Sequence, residues 1–305
     1  MIVRLALQAD FYAAFPCTRT IYNTREFISL NASKAEAVRY FIGYDEDEAP
    51  RLGIVLGYRD GKWFAPFSAP FAEVAYDKPQ SLERIYDFVS ELADMLQGAP
   101  LQITLAPELY DPKMLPKLTG VLANYAPKAY YDYNYHYDLA DFPQFAELLD
   151  RSARKNFKRA LTEEFTFEST DDIDRAYAVI KANRESHGYP LAMSLEQVRA
   201  TVQPQGPVKA DFFILSHKGE DVAAAMVYHA AEGIVQVVYW GDAPGYSEMR
   251  PMNLLPYRLF AHYHSLGMRI VDIGPSSQRG IPSSGLCRFK ENLGCRLSLK
   301  PTFVI

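Results

Sequence analysis

One order of elements runs twice along this chain, and few architectures accept it. Ile54 to Tyr58 is apolar, Asp60-Gly61 is a two-residue hairpin turn, and Trp63 to Phe67 returns. Ser81 to Gln97 then places Leu82, Ile85, Val89, Leu92 and Leu96 on one helical face. Leu101 to Leu105 reads as a short strand, Asp111 to Asn124 as a second helix and Ala129 to Leu139 as a long strand. The second half repeats the order. Asp211 to His217, Val222 to His229 and Ile234 to Gly241 read as three strands, Leu254 to Leu266 as a helix, and Arg269 to Ile273 as a strand. A short helix and a last extended segment, Cys295 to Ile305, follow. Ahead of these strands lie Phe165 to Ser169, a helix from Ile173 to His187, and another from Ser194, whose spacing to Gln197 is that of a capping box. The repeat predicts a duplicated mixed α/β unit: a first unit over 1–140, a helical connector over 141–163 and a second unit over 164–305. With 305 residues, 49% of them hydrophobic, the chain can fill two cores; one large α/β domain is the alternative.

Composition removes several function classes. No run of about 18 apolar residues occurs, so no membrane-spanning helix is expected. The N-terminus lacks the apolar core of a signal peptide, and three cysteines in this length fit a reducing compartment, so a cytoplasmic protein is expected. A net charge of -5 gives no general attraction for nucleic acid. The run Arg151 to Arg159 is a local exception, either a solvated helix face or a phosphate-binding patch that includes Arg154 and Lys158. Tyr131, Tyr133, Tyr135 and Tyr137 share one strand face, either as sheet packing or as an aromatic wall. No metal-ligand spacing, phosphate-binding P-loop or nucleophile elbow is found, so no metal site is expected.

The closing stretch Gly285-Leu286-Cys287-Arg288-Phe289-Lys290-Glu291-Asn292-Leu293-Gly294 reads as a loop and a short helix capped by Gly294. Within it, Phe289 and Lys290 are either a core ring with a snorkelling lysine or members of a site. Asp272, at a strand end before Gly274, is either a turn aspartate or a general base exposed where open sheets bind ligands. His187, Tyr228 and His229 are further base candidates, His187 also fitting a structural role at a helix end. Tyr239 and Trp240 either fill a core or line a cleft. Asn253 either caps a helix or contacts substrate.

The element order resembles the acyl-CoA N-acyltransferase (GNAT) fold. Its doubling is similar to the FemABX-like peptidyltransferases and the CelD-BioF2-type acetyltransferases. Phe67-Ser68-Ala69-Pro70-Phe71, Ser152 to Ala160, Asn183 to Gly188, and Val271 to Gly274 with Gly285 to Gly294 carry the likeness. The resemblance implies tandem GNAT-like α/β units and acyl transfer to an amine of a small molecule, amino sugar or cell-envelope precursor. It implies acyl-CoA (acetyl-CoA) as donor. The glycine-rich turn that cradles its pyrophosphate in ordinary GNAT members is absent from Gly241 to Asn253. The FemABX-like branch often lacks that turn and uses aminoacyl-tRNA, which is the alternative donor; a non-catalytic ligand-binding member is a third reading. The resemblance at Phe-Lys implies that Lys290 stabilises the oxyanion or holds a phosphate, while Asp272 and His187, read from their places at a strand end and a helix end, complete the expected catalytic groups. Phe289, Tyr239, Trp240, Asn253, Ser68, Phe71, Arg154 and Lys158 are the expected substrate contacts. Lys290→Ala is expected to abolish transfer without unfolding the protein.

Overall fold

The structure is a computed structural model that describes residues 1–203 and 205–305. In chain order its regular elements are β1 (Ile2–Ala6), α1 (Gln8–Ala14), α2 (Arg25–Asn31), β2 (Ala37–Tyr44), β3 (Pro50–Arg59), β4 (Lys62–Ala65), α3 (Leu82–Met95), β5 (Leu101–Thr104) and α4 (Leu115–Tyr125). The chain continues through β6 (Lys128–Asp138), α5 (Phe145–Leu148), α6 (Arg151–Ala160), β7 (Phe165–Thr170), α7 (Ile173–Ser186), α8 (Leu195–Val202), β8 (Ala210–His217), β9 (Glu220–Ala231) and β10 (Ile234–Asp242). It ends with α9 (Pro251–Ser265), β11 (Ile270–Pro275), β12 (Ser277–Gln278), β13 (Ile281–Pro282), α10 (Ser284–Asn292) and β14 (Arg296–Val304). Two compact units form. One holds Met1–Tyr133, Ser277–Ile281 and Ser298–Ile305; the other holds Asn134–Ser276 and Pro282–Leu297.

In the first unit the strands lie in the order β1-β2-β3-β4-β5-β14. The β3–β4 hairpin turns at Asp60 and Gly61, both at positive φ, as a two-residue turn of this twist requires. α3 starts at the Ser81 side chain, which accepts from the Arg84 N–H, and buries Ile85, Phe88, Val89 and Leu92. Leu82, expected on that face, is instead exposed. Phe11, Phe15, Ile28, Tyr40 and Ile42 form a core with Val55 and Phe67. Several of these rings come from residues 1–53, where no element had been read. The last strand differs from the expected contiguous blocks: Thr302, Phe303 and Val304 of β14 pair antiparallel with Thr104, Ile103 and Gln102 of β5. The two threonine hydroxyls also share a hydrogen bond of 2.9 Å. The C-terminus therefore completes the first unit's sheet, whereas the sequence order had assigned it to the second.

In the second unit the order is β6-β11-β10-β9-β8-β7. β10 and β11 run parallel; their other neighbours run antiparallel. Ser194 and Gln197 form the expected capping box. α9 packs onto this sheet by Leu254, Leu255, Leu259, Phe260 and Tyr263, with Tyr137 stacked on Phe260 at 4.1 Å. Of the four expected strand tyrosines, Tyr135 and Tyr137 are buried, while Tyr131 is exposed. α10 ends as expected: Gly294 takes φ 79° and the Cys295 N–H reaches the Lys290 carbonyl. Among the described residues no helix is long and apolar enough to cross a membrane.

Candidate active site

The second unit is opened by two adjoining irregularities in its sheet. β10 and β11 pair only at Ile234–Ile270, Val235–Val271 and Gln236–Asp272, although both strands continue beyond. One residue further on, β10 steps from a Val237–Val227 pair to a Tyr239–Met226 pair, leaving Val238 as an extra residue. A bulge bends its strand and breaks the ladder locally. Past it the facing edges of β10 and β11 part, and their amides and carbonyls have no strand partner across the gap.

Asp272 and Lys290 sit at the point of parting. Asp272 is 0% exposed and accepts from Asn134 Nδ2, Gln236 Nε2 and the Gly274 N–H, at 2.8, 2.7 and 3.0 Å. Gln236 is also its register partner, so the last strand pair before the gap is fastened by side chains as well as backbone. Lys290 is 4% exposed, and its ammonium donates to the carbonyls of Ile273, Gly274 and Pro275 at 2.8, 2.8 and 3.2 Å. An ammonium has three protons, and three carbonyls take them. Burial pulls this ammonium down to about 8, against the field of Asp272. The sequence reading expected both residues to face substrate. The geometry corrects it: both are turned inward onto β11.

At the end of β10 lies a cavity of about 280 Å³. α6 supplies Ser152 and Asn156, β10 supplies Asp242, the start of α9 supplies Arg250 and Asn253, and α10 supplies Phe289. Phe289 stands edge-on to Trp240 at 6.2 Å between centroids. The start of α9 is built to attract negative charge. Arg250 precedes it in the left-handed region at φ 62°, no side chain caps the helix, and Arg250 Nε is buried without a partner. A 15-residue helix presents the positive end of its dipole here, although Pro251 has no N–H and the Asn253 N–H is taken by the Arg250 carbonyl at 2.9 Å.

Asp242 carries a carboxyl raised above its ordinary value by burial, with His187 nearby pulling the other way. Asn183 from α7 donates to the Asp242 carbonyl at 2.8 Å and approaches its Oδ1 at 3.4 Å. This seat needs Gly241: a Cβ there would lie 2.3 Å from Asn183. Neither Asp242 nor Arg250 was singled out in the sequence. Both lie in Gly241 to Asn253, where attention fell on a missing glycine pattern, and a strand-end Gly-Asp reads as a turn.

Phe289 and Asn253 both line this cavity, and Trp240 touches it through its contact with Phe289. Tyr239 is buried, its hydroxyl accepting from the Ala192 N–H under the Arg184 guanidinium. His187 is exposed, with Nδ1 against the Asn183 carbonyl, and reaches the site only through its field on Asp242. His229 is held by Asp211 and Tyr228 is buried. Arg154 and Lys158 point from the face of α6 that lines a separate concavity. Ser68 and Phe71 belong to the first unit, whose corresponding strands are closed over by the chain itself. β4 and β5 pair through Ala65–Ile103, then Ala72 bridges to Leu105 and Ala75 to Gly53. Phe71, 1% exposed, packs against Tyr22 and Tyr110, and Ser68 bonds Asn31. Ser68 and Phe71, expected as a substrate wall, line a small pocket of the first unit together with Tyr22, Asn31 and Phe67.

Residues 149–291 match the family described as acetyltransferase (GNAT) domain. The chain has the FemABX-like double-GNAT fold. FemX aligns over 99% of this chain and 96% of its own at a TM-score of 0.66 and 10% identity. L-PGS from Bacillus licheniformis aligns over 97% and 89% at 0.56 and 13% identity. A tandem GNAT protein from the clavulanic acid biosynthesis pathway aligns over 98% and 86% at 0.52 and 11% identity. No curated protein sequence matches this one.

Proposed function

We propose that the second unit is an N-acyltransferase working from the gap between β10 and β11. Its acceptor is an amine of a small molecule, an amino sugar or a cell-envelope precursor. One observation carries the reading: the end of β10, past the last residue that pairs with β11, opens on a cavity that holds a raised carboxyl, Asp242, and a guanidinium nitrogen of Arg250 with no hydrogen-bond partner.

Acyl-CoA fits the donor end of this cavity, and when bound it supplies an acyl group activated as a thioester. Arg250 Nε, whose guanidinium otherwise reaches only Glu248, at 3.9 Å, among the described residues, and the positive end of the α9 dipole hold negative charge in place of the missing glycine-rich turn. Phe289 and Trp240 wall the site and exclude water. Amides on the parted strand edges stabilise charge developing on the acyl oxygen. Asp242 accepts the proton of the acceptor ammonium. Asp272, which accepts from the Gly274 N–H, and Lys290, which donates to three carbonyls, hold the end of β11 in place as positioning residues. A cytoplasmic setting goes with this chemistry.

Aminoacyl-tRNA is the second donor reading, favoured by Pro251, which removes one N–H from the place where ordinary GNAT members use a glycine-rich turn. Melting with and without ligand tests the choice. Acetyl-CoA at about a hundred times its Kd is expected to stabilise the folded protein by about 2.7 kcal/mol. Arg250→Ala is expected to weaken that binding roughly tenfold or more. No shift with acetyl-CoA, together with salt-sensitive tRNA binding, would transfer the assignment to the second donor. Binding of neither donor would overturn acyl transfer.

A further inference from the structure

α6 presents three faces. Ala153, Phe157 and Ala160 are buried, Ser152 and Asn156 line the cavity, and the third face is purely cationic. Arg151, Arg154, Lys155 and Lys158 together line an open concavity of about 560 Å³. The helix contains no acidic residue. Arg159, off this face, reaches Glu248 at 4.0 Å, but among the described residues none of the four has a carboxylate partner. Mutual repulsion among unpaired cations on adjacent turns costs stability, and a bound anion offsets it.

We infer that this face docks the protein onto an anionic membrane surface. Two exposed leucines bracket the cations: Leu148 at 41% exposure before the helix and Leu161 at 51% just after it. The Arg154 guanidinium donates to the carbonyls of Glu147 and Leu149, which holds it beside Leu148. Cations flanked by exposed aliphatic side chains suit the headgroup boundary, where charge meets lipid phosphate and leucine meets acyl chain. A single-stranded nucleic acid would call for stacking rings, and this face has none. The net charge of -5 repels the rest of the molecule from the same surface, so attraction through α6 also orients it. The proposal rests on a face separate from the cavity, so it can fail without touching the acyltransferase reading.

Cosedimentation of the full chain with phosphatidylcholine vesicles, with and without phosphatidylglycerol, tests it. Binding is expected only to the anionic vesicles and is expected to fall roughly tenfold or more from low to high salt. The triple variant Arg151→Gln, Lys155→Gln, Lys158→Gln is expected to lose at least about tenfold in binding with its melting unchanged. Leu161→Ala is expected to lose about twofold to fivefold. Undiminished binding by the triple variant would overturn the inference, as would no retention on anionic vesicles at low salt. Retention on tRNA without vesicle binding would reassign the face to nucleic acid. Self-association abolished in the triple variant, without vesicle binding, would reassign it to a second copy of the chain.

Discussion

Lys290→Met is expected to lower the stability of the second unit by about 3 kcal/mol, rather than leaving the fold intact as a purely catalytic lysine would. Methionine nearly preserves the volume, so the effect is electrostatic. The variant gains by removing a buried ammonium, but it leaves the carbonyls of Ile273, Gly274 and Pro275 without the donor that reaches them. An abandoned buried carbonyl costs about 1–3 kcal/mol, and with those of buried Ile273 and Gly274 both affected the loss wins, whereas exposed Pro275 can turn to water. The two tryptophans lie one in each unit, so Trp240 fluorescence during urea unfolding of a Trp63→Phe background reports the second unit. The pH dependence gives an independent check. The unfolded chain keeps the Lys290 proton up to about 10.5, whereas the native state releases it from about 8. Between those values the unfolded state binds more protons, so stability contributed by Lys290 rises with pH. The gap corresponds to about 3 kcal/mol across the window. Cys295 opposes it: burial pushes its thiol up to about 12 from 9.0, so its contribution falls as pH rises above 9.0. The difference between wild type and Lys290→Met removes all of the Cys295 contribution except the part that the Lys290 field sets, and is expected to grow from pH 8 upward. A flat difference would show that the ammonium is not held as described.

Local patterns made the elements legible. The Asp60-Gly61 turn, the Ser194–Gln197 capping box and the Gly294 cap each depend on residues within a few positions of one another, and each formed as read. Partner choice for β14 is not local. Nothing in Arg296 to Val304 distinguishes pairing with β5 from a place in the second unit's sheet, and the register is set by Thr104 and Thr302 almost two hundred positions apart. The gap was hidden for a similar reason. It depends on where β10 and β11 stop pairing and on one extra residue at Val238, and a run of apolar strand residues carries no mark of either. Phe289 and Trp240 were singled out through the family resemblance, at the Phe-Lys pair and at the cleft expected of a GNAT-like fold, and their rings meet at 6.2 Å. The partners of Lys290 are backbone carbonyls, which have no sequence signature at all. Its burial therefore came as a correction, and with it the change from a residue facing substrate to one holding a strand.

Asp242→Asn is expected to reduce acyl transfer by about 10²–10⁴-fold while leaving the melting temperature nearly unchanged. The side chain is half-buried, and the better of its two contacts with Asn183 is made by the backbone carbonyl, which the substitution keeps. Removing a carboxyl that burial already disfavours in its charged form takes little from the fold. It takes the proton acceptor from the cavity. In the wild type the rate is expected to rise with pH along a limb set by Asp242, displaced upward from 3.8, because only the ionised carboxyl accepts a proton. That limb is expected to disappear in Asp242→Asn. His187→Ala is the informative partner. His187 is exposed and bonded to its own helix, so its loss is expected to cost less than about fivefold and to move the limb up by removing a field that favours the charged carboxylate. Following release of the free thiol of coenzyme A from acetyl-CoA against a panel of primary amines, as a function of pH, measures all three proteins. If His187→Ala abolishes transfer and Asp242→Asn retains it, the base is the histidine first read from the sequence, and the proton leaves toward solvent at the end of α7 instead of into β10.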